Sequence, residues 1–237
     1  EGEDAIRNLD AIGELENLEQ LTISGRGEEV DTKSLANLKK VRAVSLGSTK
    51  FDMSFLSGME ALEDVYTDRC EGMEDLSMLT GLKNLKGISI EYVDVADLNC
   101  LKDAEQLESI GIQATVDIYG FEALENLHEV QSLYLDGYGD NSERMDLSVL
   151  KNMRELEFVR IGRISIDGME SLTDLEHLEW VMLVDTGIED MEILLDIPNL
   201  KDLHIFGNES ETVRRQAEEY ADTIECLEVS DEIPYGV

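Results

Sequence analysis

The chain has 237 residues, 42% of them hydrophobic, with two prolines and no Ser/Gly-rich run, so it reads as one domain with a sizeable core rather than modules on a flexible linker. Its 54 acidic and 19 basic residues leave a formal net charge of −35 spread along the chain. That field disfavours nucleic acid and anionic lipid; it either steers basic proteins toward the chain or only solvates the outside of the molecule. Three widely spaced cysteines, Cys70, Cys100 and Cys226, exclude a disulfide scaffold or a CxxC metal pair.

Ile6, Leu9 and Ile12 near the N-terminus have the spacing of half a repeat, and the chain begins at Glu1 rather than Met, as after removal of a leader or trimming. A six-residue motif with apolar residues at its first, fourth and sixth positions then recurs ten times. It begins at Leu18, Val41, Leu62, Leu85, Leu107, Val130, Leu156, Leu178, Leu200 and Ile224, with steps of 21 to 26 residues; Thr67 fills the sixth position of the third copy. The period of two inside the motif predicts a short strand with its fourth and sixth residues inward. Between motifs, apolar residues fall every third position, as in Met169-Leu172-Leu175-Leu178. That spacing suits a 3₁₀-like or short helical return. A return after every strand makes the strands parallel, and no unit can bury its apolar side alone, so neighbours must stack. A curved α/β solenoid is expected, with a parallel sheet of about ten strands on one face.

The longest step carries "DGYGDNSERMDL". Asp136, Asp140, Asn141 and Glu143 could hold calcium, but their spacing is not that of an EF-hand, so a surface loop at the sheet edge is expected. Further on, Ser210 is placed to cap a full α-helix near residues 211 to 221, with Val213, Ala217 and Tyr220 on one face. The single domain 1–237 thus divides into an N-terminal partial repeat (1–17), repeats (18–207), and a C-terminal helix, last strand and tail (208–237). No signal-peptide pattern and no membrane-spanning apolar run is present.

These motifs resemble the leucine-rich-repeat family, and the spacing of about 22 residues is most similar to its bacterial internalin-like subclass. The segment "LEHLEWVMLVDTGIEDMEILLDIPNL" follows that subclass's pattern closely, with Thr186 in its asparagine slot, then Ile188 and Asp190. The resemblance spans residues of about 9 to 230. It implies a right-handed horseshoe, recognition of a protein or other ligand on the concave sheet, and no catalytic machinery. The family's asparagine, which bonds loop backbone between repeats, aligns with Arg26, Thr49, Cys70, Val93, Thr115, Tyr138, Ile164, Thr186 and Asn208, and only the last keeps it. Thr and Cys can supply part of that bonding; Val93 and Ile164 cannot, so irregular turns are expected.

The alternation also assigns the outward residues. The first five strands carry mostly small and polar side chains, with Tyr66 as the exception. Strands six to nine carry Tyr134, Phe158, Arg160, Trp180, Met182, His204 and Phe206, a composition typical of interfaces. These seven are the expected ligand-binding patch, with Trp180, the single tryptophan, as its solvent-facing anchor. Two alternatives stay open: the side chains pack on one another across strands, or the "DGYGDNSER" loop covers them.

Asp202, His204, Cys226 and Glu228 should share that face, close enough for a metal or a Cys–His pair, but the register after the capping helix is the least determined in the chain. They are read as surface residues, with no metal or catalytic site. His128 and His177 fall on returns, and Cys70 is expected to be a buried thiol. There is no GxSxG, P-loop, GxGxxG or HExxH motif. The sequence thus points to a non-enzymatic module without cofactor, probing a protein or peptide on its concave face. It is expected to be a monomer, secreted or surface-attached in a bacterium, without membrane insertion. The alternative is an intracellular acidic regulator or immunity-type inhibitor of a basic protein.

Overall fold

The computed structural model describes residues 9–25, 29–48, 50–70, 75–138 and 143–233. Ile6, Arg26, Thr49, Asp140 and Asn141 lie outside them. Ten strands form one parallel sheet in sequence order: β1 (Gln20–Ser24), β2 (Ala43–Gly47), β3 (Asp64–Asp68), β4 (Gly87–Asp97), β5 (Ser109–Tyr119), β6 (Ser132–Gly137), β7 (Phe158–Gly162), β8 (Trp180–Val184), β9 (Asp202–Phe206) and β10 (Cys226–Ser230). Each opens two residues into a copy of the motif. The pairing keeps like positions together, as in Ile110 with Leu133, Leu133 with Val159, and Val159 with Val181. All four of these side chains are buried, each covered by its counterpart on the adjacent strand. This is the leucine-rich-repeat solenoid expected from the motifs.

Successive sheet strands up to β9 are joined through eight 3₁₀ returns among the described residues, from Lys33–Asn37 to Glu192–Asp196. The period-three leucines point into the shared core from these returns: Leu172, Leu175 and Leu178 are all buried. Most returns start on an aspartate whose carboxylate accepts a backbone N–H two residues on, as Asp52 does from Ser54 and Asp190 from Glu192, both at 2.9 Å. Asp75, Asp97 and Asp146 repeat the device. Gly168 stands at this position in the seventh return with φ +70°, and a Cβ there would lie 2.5 Å from Asp146 Oδ1. It is needed both for the left-handed turn and for the close approach.

The turns depart from the expected alignment in one region. Cys70, Val93, Ile164, Thr186 and Asn208 do point inward and are buried. Thr115 and Tyr138 do not; Ala114 and Gly137 take that position instead. The reason is that β4 and β5 run on as 11-residue strands, with a register shift that pairs Val93 with Ala114. Asn208 Nδ2 donates to the Ile188 carbonyl at 2.8 Å and Cys70 Sγ lies 3.5 Å from the Leu46 carbonyl. Elsewhere the backbone supplies the bonding: Ser48 N donates to Asp68 O, Arg163 N to Val184 O, and Asp185 N to Phe206 O, at 2.7 to 2.8 Å.

At the C-terminus the helix α1 (Glu211–Glu219) replaces the ninth return, with Ser210 accepting from Val213 N as expected. Its buried Gln216 accepts from Met191 N at 3.0 Å and donates to Asp190 at 2.7 Å, which seals the last 3₁₀ turn. At the other end, one helical turn (Asp10–Gly13) and buried Leu9 cover the first return.

Replacing Ile110 or Leu133 by Ala should cost about 2–4 kcal/mol in urea melts, through lost burial plus a cavity. Outward Ser45→Ala and Ser89→Ala should stay within about 0.5 kcal/mol. Equal behaviour of the two groups would mean that the inward and outward rows are misassigned. A second expectation concerns acid. The Ser54 N–H and hydroxyl hold the Asp52 carboxyl below its usual range, Ser77 does so for Asp75, and Glu192 N–H with Gln216 for Asp190. A depressed folded pKa stabilises above the unfolded value of about 3.9, and that contribution is lost as pH falls through the folded value. The triple variant Asp52→Asn/Asp75→Asn/Asp190→Asn keeps an acceptor at each cap, so its stability should fall less steeply below about pH 4. Circular dichroism during acid titration measures this, and a slope equal to wild type would show that the caps do not titrate in that window.

Candidate functional site

The outward rows of β6 to β9 meet at a buried charge. Asp136, the fifth residue of β6, pairs in register with Gly162 of β7 and is fully buried. Glycine is required there, because a Cβ at 162 would sit 2.7 Å from the Asp136 carboxyl carbon. The space it leaves lets the carboxylate meet Arg160 Nη2 at 3.0 Å and Arg163 Nη1 in a second, closer ion pair. Arg163 approaches from the turn after β7, where its φ of +56° folds it back over the sheet. Each guanidinium also lies over a tyrosine ring, Arg160 at 4.8 Å from the Tyr134 centroid and Arg163 at 4.0 Å from that of Tyr138. Burying three charges carries a desolvation cost that this many direct contacts offset. Asp136, expected from sequence to open a solvated surface loop rather than to bind calcium, is instead a buried strand residue held by two arginines.

Beside this cluster runs a row of rings. Phe158 and Trp180 are register partners and stack with centroids 4.2 Å apart and planes 13° from parallel. Trp180 continues to His204 at 5.3 Å, and His204 to Phe206 at 5.8 Å, both tilted. The seven residues of the expected patch are therefore brought together, but not all on the surface. Tyr134, Phe158, Trp180 and His204 are half-buried, whereas Arg160, Met182 and Phe206 are only 6%, 8% and 3% exposed. The expectation that these three face water is overturned, and Trp180, expected as a solvent-facing anchor, is itself partly buried against them. Asp136 draws Arg160 down into the face, where Nη1 meets Met182 Sδ at 3.0 Å, and Met182, Val184 and Phe206 form a small apolar cluster packed against Trp180. Part of the patch is thus internal packing, a floor under an accessible row of rings.

Arg163 is absent from the patch expected from sequence, and Tyr138 figures there only in the asparagine slot of a turn, since both lie past the six-residue motif. The usable signal was two arginines within four residues opposite Asp136, in a chain with only 19 basic residues. Outside the ring row, Tyr66, Tyr92 and Tyr138 are exposed by 43%, 44% and 50%. Next to the ring row the small side chains of β4 to β6 leave a hollow of about 360 Å³ that reaches Tyr134 and Phe158. A second, about 410 Å³, lies over β1 to β5 between Gln20, Asp64 and Tyr66.

The register beyond α1 is unshifted, pairing Asp202 with Cys226 and His204 with Glu228. Donor atoms of Asp202, His204 and Cys226 lie within 4.8 Å of one another, and Glu228 Oε2 is 3.2 Å from His204 Nδ1. Partial burial, then the Asp202 and Glu228 carboxylates, push the Cys226 thiol above its usual range, the reverse of an activated nucleophile. Burial takes the Cys100 thiol up to about 12. His177 sits on a return beside Glu155, and no helix among the described residues is long and apolar enough to cross a membrane.

No protein-family model matches the chain, and no curated protein sequence does. Solved structures match its fold. An internalin, InlF, of Listeria monocytogenes superposes with a TM-score of 0.69 at 18% identity over 98% of this chain and 74% of its own. Internalin C2 of the same bacterium gives 0.64 at 20% identity, over 76% of this chain and 77% of its own. The plant peptide hormone receptor RGFR1, solved in complex with RGF2, gives 0.63 at 16% identity over 97% of this chain and 43% of that receptor. The chain has the leucine-rich-repeat fold.

Asp136→Asn would leave two arginines without their counter-charge and should cost about 3–5 kcal/mol in denaturant melts. Gly162→Ala must displace the same carboxylate and should cost roughly 1 kcal/mol or more. Were both variants as stable as wild type, the ion cluster would not be what holds this face in shape.

Proposed function

We propose that the chain is a non-enzymatic binding module that takes a protein or peptide on its concave sheet, centred on Tyr134, Phe158, Trp180 and His204. The observation that carries this is the partly exposed, stacked ring row lying beside an open hollow on an otherwise acidic surface. Arg160, Met182 and Phe206 belong to the site as its supporting floor. The stacked Phe158–Trp180 pair is pre-ordered, so little side-chain entropy is lost when a partner covers it. The matched receptor solved in complex with RGF2 supports a ligand-binding use of the fold.

The net charge of −35 favours a basic partner and a salt-sensitive association. Likeness to the Listeria internalins is in keeping with a secreted or surface-attached bacterial protein; that it acts as a monomer is part of the same proposal. The charge alone also favours a second reading, an intracellular acidic regulator of the immunity type that neutralises a basic enzyme.

Panning a random peptide display library against the purified chain tests the site without a known partner. Selected peptides should combine Lys or Arg with large apolar residues and bind more weakly as salt rises. Trp180→Ala should weaken them by about 2 kcal/mol or more, while Glu176→Ala on the return side changes nothing. Peptides that bind both variants as well as wild type would place recognition elsewhere on the molecule.

A further inference from the structure

We propose that Asp202, His204 and Cys226 form a binding site for a borderline divalent transition metal, Zn²⁺ by preference, supported by Glu228. Asp202 and His204 alternate onto the outer face of β9, and Cys226 and Glu228 onto that of β10. Unshifted parallel pairing sets the four at the corners of one quadrilateral. Strand spacing alone would separate the two sides by about 4.8 Å and residues two apart by roughly 6.6 Å. The donor atoms of Asp202, His204 and Cys226 are instead all within 4.8 Å of each other, so the side chains converge on a common point. Ligands 2.0–2.3 Å from a tetrahedral metal stand about 3.3–3.8 Å apart, so closure asks for roughly 1 Å of side-chain rotation.

The donor set decides the ion. Ca²⁺ and Mg²⁺ take oxygen ligands almost exclusively, whereas thiolate with imidazole and one carboxylate suits Zn²⁺ or Co²⁺. Glu228 faces His204 Nδ1 at 3.2 Å, the kind of carboxylate contact that orients the ring of a ligating histidine. All three ligands are half-buried, reachable from solvent yet held by neighbours, unlike buried Cys70 and Cys100. On binding, the Cys226 S–H bond breaks, the S–metal bond forms and the proton leaves to solvent. Water completes the coordination.

Trp180 stands 5.3 Å from the His204 ring and reports on the site. The test uses chelator-stripped, reduced protein titrated with Co²⁺, and with Zn²⁺ against a chromophoric chelator. The proposal expects one ion per chain, a thiolate-to-cobalt charge-transfer band in the near ultraviolet, and quenching of Trp180 by Co²⁺. Cys226→Ser should abolish the band and weaken Zn²⁺ binding by more than about tenfold, Glu228→Gln should weaken it by about 10- to 100-fold, and Cys100→Ala should leave both unchanged. Glu228 is exposed, so its variant keeps the test independent of any folding defect at Cys226. Absence of the band, or Zn²⁺ held equally by wild type and Cys226→Ser, would mean diffuse binding to carboxylates and would overturn the site.

Discussion

An inward leucine or valine on one strand of this protein stays dry through the same position on the next strand, beneath the leucines of the returns. Leu133 is covered by Ile110 on one side and Val159 on the other, and neither contact exists within a single repeat. Stability is therefore shared between neighbours, and a slip of one residue would turn every buried row to solvent. The constraint that fixes the core also fixes the outer face. Once the inward rows are set, Phe158 must lie beside Trp180, and Asp202 beside Cys226.

That face has its own internal logic. The first five strands present small side chains, so the sheet there is open, and its hollows are the consequence. Strands β6 to β9 present large ones, which would splay without support. Asp136, given room by Gly162, ties Arg160 and Arg163 down, and these in turn meet Tyr134, Tyr138 and Met182. A buried ion cluster of this kind adds little net stability compared with apolar packing but fixes geometry. Here it holds the floor on which the Phe158–Trp180 stack rests.

Period and spacing alone reveal the ten strands, their rows, the 3₁₀ returns and the capped C-terminal helix, because each is a short-range consequence of which residues must be buried. The turn at Thr115 and Tyr138 was not legible. Whether a strand stops at its motif or runs on, as β4 and β5 do, depends on the partner strand rather than on local pattern. Nor does alternation say how much of an outward side chain reaches water. Arg160 and Met182 point outward from the backbone and are still buried, since a carboxylate on the adjacent strand draws the one down and a neighbouring tryptophan packs on the other. The pairing of His204 with Glu228 needed the structure as well, because a helix intervenes before β10.

The central claim is that the Phe158–Trp180–His204 row is presented to partners rather than spent on internal packing. Acrylamide quenching of the single tryptophan addresses it directly, with wild type and Phe158→Ala compared at equal foldedness. The account predicts partial quenching in wild type, between that of free indole and that of a core tryptophan, and freer quenching once the stacking ring is removed. An indole fully shielded in wild type, with a Phe158→Ala chain that no longer folds, would contradict it.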